Sequence, residues 1–156
     1  MKKKLYMFTC LLLISVSLSA CGKIEAPDYS EYQNQMDNFF TGVSTLDEEI
    51  NELNPTDETS ITTLFEYLDE LEGQFKYFSE IEVPEDFQVT ESLADEAYDY
   101  MKQANEYFRQ SFSGNTYNEY TWEAGMECYE RANKRMQYVI DIIHGKLPED
   151  ENITFE

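Results

Sequence analysis

Apolar residues recur at alternating intervals of three and four along most of the chain. The first such segment runs without a break through Tyr29, Tyr32, Met36, Phe39, Val43, Leu46, Ile50 and Leu53. A second segment repeats the spacing at Ile61, Leu64, Leu68, Leu71, Phe75 and Phe78. These intervals place side chains on one face of an α-helix, so both segments are predicted to be amphipathic helices that bury a narrow apolar seam.

Two further helices are predicted, and their apolar faces mix small residues with aromatic ones. The third runs from about Thr90 to Phe112, and its face consists of Leu93, Ala97, Tyr100, Ala104, Tyr107 and Ser111, widened by Ala94, Met101 and Phe108. The face of the fourth consists of Trp122, Gly125, Tyr129, Ala132, Met136, Val139 and Ile143. No segment shows the period-two alternation of a half-buried strand, so the predicted fold class is all-α.

Local signals indicate where the helices begin and end. Asp28 precedes Glu31 by three residues, like a capping box, and Thr116 precedes Glu119 in the same way. Pro55 ends the first helix, because the residue before a proline avoids the helical conformation. The connections are short, which makes consecutive helices antiparallel neighbours. Residues 28–147 are therefore predicted to form an up-down-up-down four-helix bundle, followed by an acidic tail at 148–156; the alternative is a three-helix bundle with one segment displaced.

The first twenty residues follow a different pattern. Three lysines at residues 2–4 are followed by an apolar run from Leu5 to Val16 and by small residues at Ser19 and Ala20. This order is typical of a secretory signal peptide. The apolar run is shorter than the roughly 20 residues that a membrane-spanning helix needs. Residues 1–20 are therefore predicted to be a signal peptide, and the remainder an exported domain.

The residues that follow add a more specific signal. Leu18-Ser19-Ala20-Cys21 resembles the lipobox of bacterial lipoprotein precursors, in which cleavage leaves the cysteine as the new N-terminus. The resemblance covers the first 22 residues and implies a diacylglyceryl group on Cys21, with residues 21–27 as a lipidated tether. Two acyl chains anchor a protein stably, as one chain does not. The expected location is the outer face of the cell membrane, in a Gram-positive bacterium.

Acidic residues dominate the charge of the chain. Asp and Glu total 32 against 11 Lys and Arg, which gives a formal net charge of −21. Loss of residues 1–20 removes three lysines and no acid, so the mature chain carries −24. Such a surface is repelled by nucleic acid and by anionic lipid headgroups. Nucleic acid is therefore excluded as a partner, whereas a cationic partner is permitted.

No combination of residues indicates catalysis or metal binding. The single histidine, His144, lies at a helix end beside Gly145, where it favours the negative end of the helix dipole. Neither a ferritin-like dinuclear site nor a zinc site can be assembled with one histidine. Cys128, the only thiol left in the mature chain, is about 24 Å along the helix from His144 and is interpreted as a small buried hydrophobe. The domain is predicted to be non-enzymatic and to need no cofactor.

Two features are candidate surfaces for a ligand or a protein partner. The first is a basic cluster, which consists of Arg131, Lys134 and Arg135. Glu127 stands four residues before Arg131, and Glu130 four before Lys134. Ion pairs at this spacing within one helix account for most of the cluster, and a site for an anion or a partner is the alternative.

The second feature is an aromatic set on helices three and four: Tyr100, Tyr107, Trp122 and Tyr129. Small residues interleave with it, which is expected of ordinary core packing and also of an aromatic-lined pocket between these two helices. The leading hypothesis is a lipid-anchored domain that contacts another protein or the envelope. The alternative is a module that binds a small ligand in the Tyr-lined pocket.

Overall fold

The computed structural model describes residues 28–54, 59–113 and 116–146. These residues contain four α-helices: α1 (Ser30–Glu52), α2 (Ser60–Ser79), α3 (Val89–Ser111) and α4 (Glu119–Ile143). A short 3-10 turn, Glu85–Phe87, precedes α3, and no strand occurs in this part of the chain. Each helix packs against the next, with the closest backbone approach between α3 and α4. The predicted all-α four-helix bundle is confirmed. The expected signal peptide and tether, residues 1–27, and the acidic tail at 148–156 lie outside the described residues.

Most of the seam predicted for the first two helices lies in the core, but Ile61, predicted on the seam, is 45% exposed at the start of α2. Phe39 of α1 and Phe75 of α2 are fully buried. The Phe39 ring stacks on Phe78 with 4.3 Å between ring centroids, and it meets the edge of Phe75 at 5.5 Å. The helices bury their seams against one another, so residues 28–146 carry their own hydrophobic core. A lipid-free chain that begins at Gly22 retains this whole core and is expected to fold.

The inner face of α3 differs from the predicted one. Its buried residues are Thr90, Leu93, Ala94, Ala97, Met101, Ala104, Asn105, Phe108 and Ser111. Tyr107, predicted on the inner face, is 37% exposed, and Tyr100 is only half-buried. The reason is that α3 packs against both α2 and α4. Contact with two neighbours centres its buried face on Met101 and Phe108, one position after each tyrosine.

The start of α4 also differs from the prediction. Thr116 does not cap the helix; Asn118 does, and its side chain accepts a hydrogen bond of 3.1 Å from the backbone N–H of Thr121. Asparagine is at least as good a cap as threonine. The N–H of Asn118 also donates to the carbonyl of Ser111 at 2.9 Å, which ties the α3–α4 connection to the end of α3.

The first helix likewise lacks the predicted capping box. The N-cap position of α1 is Tyr29, which makes no side-chain capping bond. The Asp28 carboxylate instead accepts a hydrogen bond of 3.0 Å from the N–H of Ser30.

The predicted end of α4 at His144 and Gly145 is confirmed. Gly145 has a φ of 72°, a left-handed conformation that favours glycine. Its N–H donates to the backbone carbonyl of Ile142 at 2.9 Å. The N–H of the next residue, Lys146, donates to the backbone carbonyl of Asp141 at 2.8 Å. This pair of bonds is the Schellman motif, which satisfies carbonyls at a helix end.

A polar cluster that was not predicted joins α2 to α3. The buried side chain of Asn105 donates hydrogen bonds to Asp69 at 3.1 Å and to Glu72 at 2.6 Å. Arg109 donates to Asn105, forms an ion pair with Asp69 and donates to the carbonyl of Phe65. Burial alone would raise the pKa of Asp69, but the hydrogen bonds from Asn105 and Arg109 outweigh it and hold that pKa below its ordinary value. Both the NH2 group and the oxygen of the Asn105 amide therefore have hydrogen-bond partners, as is usual for buried polar groups.

The close packing of α3 on α4 depends on Gly125. A Cβ atom at this position would lie 2.7 Å from Cδ1 and 2.8 Å from Cε1 of Phe108. Phe108 is buried, with 4.5 Å between its ring centroid and that of Trp122, so its ring would have to give up this packing to make room for a Cβ atom. α3 and α4 therefore pack without a gap where Gly125 contacts Phe108.

Gly125→Ala is expected to destabilise the protein by about 1–3 kcal/mol, because overpacking outweighs the gain in helix propensity. Gly73→Ala is the matched control, since nothing lies within 4 Å of a Cβ in that helix interior. There the same substitution should stabilise by about 0.5–1 kcal/mol. Urea denaturation of both variants measures the two free energies of unfolding. Shifts in the same direction would contradict the close approach at Gly125.

Candidate ligand-binding cavity

A cavity of about 460 Å³ lies between α1 and α4 at one end of the bundle. We call it the α1–α4 cavity. Its lining residues are Asp47, Ile50, Asn51, Leu64, Leu68, Leu71, Phe108, Trp122, Met126, Tyr129 and Asn133. They come from the second half of α1 and the first two thirds of α2 and α4, with Phe108 from α3. The cavity exists because α1 and α4 approach each other much less closely than α3 and α4 do. Its volume is within the range of small-ligand sites.

The floor of the α1–α4 cavity is apolar. Three leucines of the α2 seam, at residues 64, 68 and 71, form part of it together with Phe108. On α4, the lining residues follow intervals of four, three and four, which puts Trp122, Met126, Tyr129 and Asn133 on one helix face. In the other helices, residues at this spacing are buried in the core. On this part of α4, they line the cavity instead. The floor and this α4 face suit the apolar body of a ligand.

One wall of the cavity is polar. The Tyr129 hydroxyl of α4 donates a hydrogen bond to the Asp47 carboxylate of α1, across 82 positions of the sequence. Burial raises the pKa of Tyr129, and the bond to Asp47 raises it further, so the hydroxyl keeps its proton. Asp47 and Tyr129 therefore link the two helices where their backbones are far apart.

Asn133 completes this polar wall. Its side chain faces the Tyr129 hydroxyl and lowers the pKa of that hydroxyl, against the larger upward effect of burial. Because that hydroxyl has one hydrogen and gives it to Asp47, the group of Asn133 facing Tyr129 has to be the amide NH2. The Asn133 Oδ1 atom is buried and has no hydrogen-bond partner among the residues that the structure describes. A buried acceptor left without a donor is uncommon in folded proteins.

The structure brings together two of the four aromatic residues singled out in the sequence. Trp122 and Tyr129 line the α1–α4 cavity, whereas Tyr100 and Tyr107 do not. The pocket was expected between helices three and four, but Phe108 fills that interface against Gly125. The cavity lies on the other side of α4, facing α1.

The basic cluster is held by contacts within the bundle. Arg131 pairs with Glu127 at 3.8 Å, as predicted, and Arg135 donates to Glu96 of α3 at 2.5 Å. The guanidinium carbons of both arginines lie 5.8 Å from the centre of the Tyr100 ring, within range of a cation–π interaction. The contacts with Glu96 and Tyr100 connect α4 to α3. Both arginines and Tyr100 therefore contribute to helix packing.

The remaining reactive groups are placed for structure. Cys128 is a buried free thiol, as predicted, and burial raises its pKa, which disfavours the reactive thiolate. The ring of His144 lies 2.8 Å from the carbonyl of Ile140 at the end of α4. Among the described residues, no three His, Cys, Asp or Glu side chains are grouped so that they could hold a metal ion.

None of the helices in the described ranges is long and apolar enough to cross a membrane.

Asp47 and Asn133 are the site residues that the sequence did not reveal. Asp47 follows the seam residue Leu46 and resembles the many other acidic residues beside a seam. Asn133 follows Tyr129 by four residues, a spacing that puts both on one helix face and is the one available signal. The chain has no significant match among protein-family models, curated proteins or solved structures, so its function has to be inferred from this cavity.

Proposed function

We propose that the chain is a lipid-anchored, extracytoplasmic and non-enzymatic domain that binds a small molecule with an apolar body in the α1–α4 cavity. The cavity is the observation that carries the proposal. This half-open space of about 460 Å³, with its apolar floor, has the size and lining of a ligand site.

The position of the cavity agrees with capture from the medium. A lipid on Cys21 would hold the bundle at the start of α1, since the tether leads directly into that helix. The 23 residues of α1 span about 35 Å. The lining residues of α1 belong to its second half, so the cavity would lie toward the end of the bundle opposite the anchor.

Binding of N-phenyl-1-naphthylamine, a neutral apolar fluorophore, tests the proposal on the lipid-free chain that begins at Gly22. Trp122 is the single tryptophan of the chain and lines the cavity, so energy transfer from it reports binding there. We expect saturable binding of one dye per chain. Leu64→Phe, which puts a larger side chain into the cavity, should weaken it roughly tenfold, or about 1.4 kcal/mol.

Val89→Phe is the matched control. This residue is exposed and lies at the start of α3, at the opposite end of the bundle from the cavity. The variant should bind the dye as the unmodified chain does. Absence of saturable binding, or equal weakening in both variants, would contradict a ligand site in the α1–α4 cavity.

A protein contact is the second candidate, and exposed apolar side chains favour it. Tyr117 and Tyr120, before and within the first turn of α4, are 51% and 84% exposed, and Ile61 at the start of α2 is 45% exposed. Both helices begin at the same end of an up-down-up-down bundle, the end that holds the cavity. Exposed aromatic side chains are common at protein interfaces. Substituting Tyr120 would weaken such a contact without changing dye binding, which separates the two candidates.

A further inference from the structure

The charge of the α1–α4 cavity is negative. Asp47 is the one charged residue among the residues that line it, and no lysine, arginine or histidine is among them. The surrounding domain adds to this charge, because the whole chain has a net charge of −21. A negative field concentrates cations near the opening and repels anions.

The polar wall offers acceptors to a ligand. A carboxylate has about four lone-pair positions, and the Asp47 carboxylate receives one donor, the Tyr129 hydroxyl, from the residues that the structure describes. That hydroxyl has no second hydrogen to give. The wall therefore complements a group that donates hydrogen bonds.

We propose that the ligand is an organic ammonium ion, with its charged head at Asp47 and its apolar body on the leucines of α2. This inference rests on the proposed function and adds the chemical class of the ligand. An ammonium group carries positive charge and donates up to three hydrogen bonds, while it accepts none. The rings of Trp122 and Tyr129 line the same space, and aromatic faces attract cations. A carboxylate-bearing ligand would meet repulsion from Asp47.

Three probes that share one eight-carbon chain test the head group: octylammonium, octan-1-ol and octanoate. Each is titrated into the lipid-free chain that begins at Gly22, with Trp122 fluorescence and calorimetry as readouts. Octylammonium should bind about tenfold more tightly than octan-1-ol, because both head groups can donate a hydrogen bond to the Asp47 carboxylate but only the ammonium places a positive charge opposite it. Octanoate should bind more weakly than both.

Substitutions test whether Asp47 causes the preference for octylammonium over octan-1-ol. Asp47→Asn should reduce octylammonium binding to about the level of octan-1-ol and weaken octan-1-ol binding much less, and the remaining octan-1-ol binding also shows that the variant is folded. Asp37→Asn is the matched control, because it removes the same charge from an exposed position of α1 outside the cavity. Tyr129→Phe removes the donor that Asp47 now uses and should keep the preference for octylammonium.

The outcomes separate this inference from the proposed function. If octan-1-ol binds and octylammonium binds no better, the ammonium assignment is wrong and the cavity remains a ligand site. If octylammonium binds better but Asp37→Asn abolishes the preference as fully as Asp47→Asn does, the overall charge is responsible and Asp47 is not the contact. If neither the three octyl probes nor N-phenyl-1-naphthylamine binds, the proposed function fails as well.

Discussion

A chain that carries Cys21→Ser is expected to incorporate no fatty acid, whereas the unmodified chain incorporates it fully. The proposed lipid is joined through the cysteine sulfur, and serine offers no thiol for that bond. Labelling producing bacteria with radioactive palmitate and recovering the protein measures the effect. The expected change is all-or-none, since Cys21 is the proposed attachment point of the anchor.

Cys128→Ser is the control for this experiment. It makes the same substitution at a buried cysteine of α4, where no lipid could be attached without opening the core. That variant should be labelled as strongly as the unmodified chain. Label retained by Cys21→Ser would show that the lipobox resemblance is accidental.

Phe39→Ala is expected to have the largest effect on folding, a loss of about 3–5 kcal/mol in the free energy of unfolding. Phe39 is fully buried, stacks on Phe78 and contacts the edge of Phe75, so the substitution leaves a void between α1 and α2. Small domains are stable by only about 5–15 kcal/mol. The variant should therefore lose a large share of its stability.

Urea unfolding followed by circular dichroism measures this loss. Tyr120→Ala provides the comparison, because it also truncates an aromatic residue but at a position that is 84% exposed. Exposed substitutions of this kind usually change stability by no more than about 0.5 kcal/mol. Equal effects of the two substitutions would mean that the α1–α2 seam is not the core.

The core of the first two helices could be predicted because it depends on local periodicity. Intervals of three and four specify which face of a helix is buried. This local signal was enough to predict the buried faces of α1 and α2. Tyr107 was misplaced for a related reason. The face that α3 buries is set by the positions of its two neighbours, α2 and α4. Those positions cannot be predicted from the sequence of α3 alone.

The α1–α4 cavity could be predicted only in part. Trp122 and Tyr129 were identified as aromatic residues that could line a pocket, but the cavity depends on the separation of α1 from α4. That separation is decided by tertiary packing, in particular by how closely Gly125 lets α4 approach α3. Asp47 could not be recognised among 32 acidic residues, because its partner Tyr129 lies 82 positions away.

The uneven packing of the bundle has a mechanical consequence. Among the described helices, α1 has the least backbone contact with its neighbours, and α3 with α4 has the most. An anchor at Cys21 would be joined to the bundle through the start of α1. Tension between the membrane and a protein bound to the exposed face of α4 would then act on the most weakly held helix, so α1 would separate while the α3–α4 pair stayed intact.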